Sequence, residues 1–268
     1  MQFDIDHSTP YYRAIFGNLT EDQMIDNIDA MKTLSTYHKK QHYLLNKGAK
    51  YEYNPPSWSD TDNMFPLNAP THPMTHIEWG AFIRQFDKDN KKGDILEFGV
   101  ACAGTIRDIA YINSNKTIYG FDHFQGLEQT KQETPDYAGW YQGAFRLEGS
   151  EYKQTYDQVV EDCGQFPNIT LVVKDIHDLA DPSTYGISKI SAVHIDVDIY
   201  EPAVSALNFV DKCQWDEIYM RFDDWHGHEP DYDFHERLAC KEWVERNGYH
   251  INIMRNGLHG EAIVSKKS

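Results

Sequence analysis

The chain has 268 residues, and its 42 acidic side chains against 25 Lys and Arg give a formal charge of −17. That excess argues against phosphate-backbone or anionic-membrane partners, which require concentrated Lys and Arg. The length admits one large α/β domain, or one domain with a substantial appendage. No apolar run approaches the ~18 residues of a spanning helix, and the polar N-terminus lacks a signal-peptide core. Cys102, Cys163, Cys213 and Cys240 are far apart and form no CxxC pair, which disfavours a zinc site or a disulfide framework. The expectation is a cytoplasmic protein with no membrane or nucleic-acid partner.

Residues 1–70 read as an α-helical and irregular N-terminal extension. Thr20 suits a helix N-cap ahead of Glu21 and Asp22, and Met24, Ile28 and Met31 follow at helical spacing. A Tyr-, Pro- and Asp-rich stretch begins at Tyr51, in which Tyr51, Tyr53, Trp58 and Phe65 form either an aromatic wall for sugar rings or the extension's own packing. Such an arm can serve as a lid, as structural packing or as an oligomerisation element, and a homodimer is one arrangement it permits.

From 71 to 268 the pattern is regular. Trp79, Phe82, Ile83 and Phe86 mark an amphipathic helix. A strand over 94–98, a tight loop over 99–104 and a helix over 105–113 follow. The next strand spans 117–122. A helix near 151–163 is expected to turn Tyr152, Tyr156, Val159, Val160 and Cys163 to one face. A third strand covers 169–173, with an acidic turn at Asp175 and Asp178. The fourth strand ends at Asp196, and a helix starts near Glu201-Pro202, with proline suited to a first helical position. The fifth ends at Asp223, a helix spans 232–247, and a hairpin over 249–254 and 260–265 turns through Asn256-Gly257. Alternation of strand and helix predicts a doubly wound, mostly parallel α/β sheet closed by an antiparallel C-terminal hairpin.

The chemistry is concentrated at strand ends. SAVHIDVDIY over 191–200 stops an apolar run at Asp196 and Asp198, and EIYMRFDDW over 217–225 stops the next at Asp223 and Asp224. Open α/β sheets bind ligands at the carboxyl edge, and hard oxygen donors gathered there suit Mg²⁺ or a similar cation. The loop EFGVACAGT over 97–105 carries Gly99 and Gly104, which permit sharp turns and close approach to a ligand, or simply a tight strand–helix turn. It lacks the lysine of a phosphate loop and the GxGxxG dinucleotide pattern. Glu97 would repel phosphate yet accept hydrogen bonds from an amino group. Asp122, ending the second strand, is placed to take a ribose hydroxyl pair.

ILEFGVACAGT, IYGFDHFQGL, VHIDVDIYEP and FDDW, in that order, resemble the class I S-adenosylmethionine-dependent methyltransferases, and more narrowly the macrocin O-methyltransferase-like family. The resemblance spans roughly residues 75–265. It implies a seven-stranded Rossmann-like sheet and metal-dependent methyl transfer from S-adenosylmethionine to a hydroxyl of a small molecule, often a sugar or natural-product glycoside. By motif match, Glu97, Gly99, Val100, Gly104 and Thr105 would line the methionine end of the cofactor, with Asp196 beside it. Asp122 would hold the ribose, Asp175 or its neighbour Ile176 would lie near the adenine, and Asp196, Asp223 and Asp224 would bind Mg²⁺. The chain departs from the family at Cys213-Gln-Trp-Asp-Glu, where a Pro-Gly-Gly turn is usual, and at His226 and His228 after the second acidic pair. His226, His228 and Asp196 are the candidates for general base, whereas His194 reads as a core histidine. Asp198 is a further ligand, a supporting group or the N-cap of the next helix. A metal-dependent hydrolase and a non-catalytic binding protein are the competing readings.

Overall fold

The computed structural model describes residues 79–80, 83, 93–134, 139–148, 154–225, 233–256 and 259–266. The extension over 1–70, His226 and His228, and likewise Phe82, Phe86, Tyr152 and Gly257, lie outside them. Seven strands form one sheet: β1 (Asp94–Phe98), β2 (Ile118–Asp122), β3 (Ile169–Val173), β4 (Ile190–Ile195), β5 (Glu217–Phe222), β6 (His250–Asn256) and β7 (Gly260–Ser265). Their order is β3-β2-β1-β4-β5-β7-β6. The first five are parallel, and β7 runs antiparallel to both β5 and β6. The expected sheet and its closing hairpin are therefore both present.

The central strands are apolar along nearly their whole length because helices cover both faces. On one face α3 (Tyr200–Lys212) and α4 (His235–Asn247) close a core with Leu96, Phe98, Val193, Ile195, Leu207, Val210, Met220 and Trp243. On the other, α1 (Gly104–Ile112), α2 (Tyr156–Gly164) and the helical Trp79 and Ile83 pack on Ile95, Ile118 and Ala192. The sequence reading of α2 needs correction. Its start is fixed by a Thr155–Gln158 capping box. Only Val159 and Cys163 turn inward, while Tyr156 and Val160 stay 37% and 41% exposed, because α2 covers only the sheet's β3 edge. Likewise α3 starts at Tyr200, so Pro202 is its third residue, where the missing N–H is still one of the first turn's unpaired donors.

β1 lies between β2 and β4, and the chain winds outward from it in both directions. The carboxyl ends of β1 and β4 thus form the switch-point crevice where α/β folds bind ligands.

Candidate active site

Gly99 marks the point where the two central strand ends meet. Its N–H donates to the Phe121 carbonyl at 2.9 Å, and Asp196 N–H donates to the Phe98 carbonyl at 2.9 Å. At φ +85°, a Cβ on Gly99 would lie 1.7 Å from the Asp196 carbonyl oxygen. The glycine is thus required by close passage of two backbones, whatever occupies the crevice. Past it, Ala101 and Ala103 are also left-handed, at φ 43° and 58°. This winds the loop so that Val100 and Ala101 donate their N–H groups to Asp122 Oδ2 at 2.8 and 2.9 Å. Phe124 N–H donates to Asp122 Oδ1 at 2.6 Å. Asp122 is therefore the anchor of the glycine loop. Gly104 begins α1, Thr105 follows it and is buried, and Glu97 is buried beneath the loop. Asp175 caps a 3-10 turn over Ile176–Asp178 by accepting from His177 N–H at 2.9 Å, and Ile176 packs on the core.

The four aspartates come together across the β4 and β5 ends. One ligand atom each from Asp196, Asp198 and Asp224 lies within 4.8 Å of the others, and the same holds for His194, Asp196 and Asp223. Burial, then Asp223, Asp198 and Asp224, push the Asp196 carboxyl well above the usual range. Burial and Glu236 push Asp198 up to about 8. Asp224 is raised by burial and by Asp198 and Asp223. The Asp198 and Asp224 carboxyls face each other within the same close set, an approach that a shared proton or a cation between them would relieve. Two oxygens bound to one Mg²⁺ at about 2.1 Å are at most about 4.2 Å apart, so this all-oxygen set fits such an ion with small side-chain adjustment.

Asp198 does not cap α3, since the N-cap is Ile199 with no side-chain bond. The strand ends at Ile195, and Asp198 reaches the cluster through a turn with φ +60° rather than by strand alternation. The indole of Trp140, from the β2–α2 connection, hydrogen-bonds Asp198, and its ring packs edge-on against His235 at 4.9 Å.

One further group, Glu236, holds the acidic turns, and sequence reasoning missed it. Glu236, buried in the first turn of α4, accepts from Val197 N–H (2.9 Å) and Asp198 N–H (3.1 Å) through Oε1, and from Asp224 N–H (3.1 Å) through Oε2. One carboxylate therefore clasps both turns. Burial and Asp224 raise its pKa, while the Val197 and Asp224 N–H bonds oppose that. Asp223 is set apart from its neighbours. Burial alone would raise its pKa, but His194, His259 and Arg221 carry it well below the carboxylate range. His194 is buried between Glu97 (3.7 Å) and Asp223 (3.8 Å); burial lowers its pKa, and those two acids reverse the shift. For Glu236 the only advance signal was an acidic residue at a helix start, which ordinarily means a dipole effect.

Comparison with known proteins shows a likeness of fold to solved methyltransferases. No protein-family model and no curated protein matches the chain. Among solved structures, the calicheamicin methyltransferase CalS11 is similar with a TM-score of 0.56 and 18% identity, over 94% of this chain and 96% of its own. The O-methyltransferase NovP is similar with a TM-score of 0.53 and 17% identity, over 72% of this chain and 81% of its own. At such identities the likeness is one of fold.

Proposed function

We propose that the protein is a metal-dependent O-methyltransferase that moves a methyl group from S-adenosylmethionine to a hydroxyl of a small molecule, a sugar or glycoside. The observation that carries this reading is the cluster of Asp196, Asp198, Asp223 and Asp224 at the switch point, one strand from the loop anchored by Asp122. A crevice this negative repels phosphate and favours a cationic cofactor, and a sulfonium with an ammonium group is such a cofactor. NovP being an O-methyltransferase and CalS11 a calicheamicin methyltransferase agrees with it. Among the described residues no helix is long and apolar enough to cross a membrane.

In this reading the loop from Gly99 through Val100 to Gly104 and Thr105 lines the methionine end, with Glu97 contributing negative charge from below. Asp122, with both Oδ2 sites and one Oδ1 site taken by the loop, keeps one acceptor site on Oδ1 for a ribose hydroxyl, and Asp175 or its neighbour Ile176 borders the adenine. Asp196, Asp223 and Asp224 would hold the cation, with Asp198, which shares the close oxygen set of Asp196 and Asp224, as a further ligand, and a bound cation would polarise the acceptor hydroxyl as a Lewis acid. Methyl transfer is an in-line displacement, in which the carbon–sulfur bond breaks as the carbon–oxygen bond forms. The protein's task is to set that line and take the hydroxyl proton. Asp196, adjoining both the loop and the cluster, is the proton acceptor nearest both, with His226 and His228 the alternatives. The test is calorimetric titration of S-adenosylmethionine into chelator-treated protein with and without Mg²⁺, followed by transfer of labelled methyl to a panel of sugars and diols. Binding with Mg²⁺-dependent transfer is expected. Cation binding without S-adenosylmethionine binding would instead favour a hydrolase.

A further inference from the structure

Directly beneath the acidic edge lies a row of buried charged side chains. Glu97, His194 and Arg221 each occupy the penultimate position of β1, β4 and β5, and Glu261 the second position of antiparallel β7. They are direct register partners: Glu97 pairs with His194, His194 with Arg221, and Arg221 with Glu261. All four are at most 1% exposed. Trp79 covers the row, its ring 5.4 Å from His194 and 6.0 Å from Tyr219, whose hydroxyl donates to Glu261 Oε2 at 3.3 Å. A sheet does not need such a row. Apolar residues of similar volume at buried ion-pair positions are commonly as stable or more so. Its place in the layer just below the catalytic edge suggests a different purpose.

The guanidinium of Arg221 spans two carboxylates. Its Nη2 is 3.3 Å from Asp223 Oδ1, and its Nη1 is 3.6 Å from Glu261 Oε1. His259 Nδ1 meets the same Asp223 oxygen at 3.1 Å, and His194 Nε2 lies 3.8 Å from it. Arg221 and His259 thus meet Oδ1, His259 Nδ1 also lying 2.6 Å from the Asp223 main-chain carbonyl, with His194 just beyond hydrogen-bond reach. We propose that Arg221 is a positioning residue: held by Glu261, it fixes Asp223 with Oδ1 engaged by the protein and Oδ2 presented to the cation. The C-terminal hairpin is thereby wired into the metal site. The planar fork of arginine suits this bridging, whereas a lysine ammonium is a single point of charge.

This rests on the metal-site reading above, and the experiment separates the two. Mn²⁺ is titrated into wild-type protein and into Arg221→Met, Arg221→Lys and Glu261→Gln, with free Mn²⁺ followed by its electron paramagnetic resonance. S-adenosylmethionine affinity is measured on the same samples. Loss of a group that orients a metal ligand commonly costs about 10- to 100-fold in metal affinity. Arg221→Met is expected to lose affinity in that range, and Arg221→Lys and Glu261→Gln to lose less, with S-adenosylmethionine affinity held within about twofold. A merely structural role would weaken both ligands together and show no graded recovery with lysine. If Arg221→Met does not fold, the lysine and glutamine variants carry the comparison. Wild-type Mn²⁺ affinity in folded variants overturns the assignment alone. Absence of Mn²⁺ binding by the wild type overturns the metal site, and the assignment with it.

Discussion

Replacing Glu236 with glutamine asks whether one carboxylate holds the two acidic turns in register. Its two oxygens accept three backbone N–H groups, from Val197, Asp198 and Asp224. Glutamine keeps a single acceptor oxygen, and its amide NH₂ must face at least one of those N–H donors. A hydrogen bond to a charged group contributes roughly 1.5–3 kcal/mol, and an unpaired buried donor costs a similar amount. Removing one negative charge from a cluster that already holds four aspartates offsets part of that. The net expectation is a loss of about 1–2 kcal/mol, or roughly 2–8 °C in Tm for a domain of this size. Glu236→Ala, which leaves all three donors without this acceptor, should lose at least about twice as much. Thermal unfolding in chelator, read by tryptophan fluorescence, measures both. An unchanged or raised Tm for the glutamine variant would refute the reasoning. It would mean that repulsion inside the cluster exceeds the worth of the clasp.

Three more outcomes are expected. Asp196→Asn should weaken Mg²⁺ binding by at least about tenfold and suppress turnover, while S-adenosylmethionine affinity stays near wild type; parallel loss of both affinities in calorimetry would argue against its role as ligand. Gly99→Ala should cost more than about 3 kcal/mol or abolish folding, since its Cβ would sit 1.7 Å from the Asp196 carbonyl oxygen; a wild-type unfolding curve would contradict that backbone contact. Thiol labelling of the native protein should modify Cys102 alone, because Cys163, Cys213 and Cys240 are buried, with burial pushing the first two thiols up to about 12. S-adenosylmethionine should slow that labelling, and mass spectrometry finding a second thiol modified first would disprove the ordering.

The sheet was legible because buried parallel strands leave near-continuous apolar runs, and each run here ends in a residue that changes the chain's direction. β3 was placed to the residue although it lies at the sheet's edge. The start of α2 was also readable, in the Thr155–Gln158 capping box, but was set too early by following apolar residues past it. The aspartates were visible as strand ends, since their position follows from local order. The residues that hold them were not. Glu236 returns to the site through α4, and Glu261 meets Arg221 only through an antiparallel register, and neither relation has a local signature. Asp198 stayed open between ligand, supporting group and helix N-cap, because its place is set by a left-handed turn after a strand that stops at Ile195. Gly99 was legible as a tight turn or a point of close approach to a ligand, but that the close approach is to the backbone at Asp196 has no local signature.

β7 fills an interior slot, between β5 and β6, although it follows the sheet's other six strands in the chain. On the ribosome, every residue of the acidic edge emerges before Glu261 does. Until β7 enters, the hydrogen-bonding edge of β5 is bare along an apolar strand, an edge that can pair with another nascent chain. Completion of the charged row beneath the acidic edge and closure of that sticky β5 edge are therefore one event.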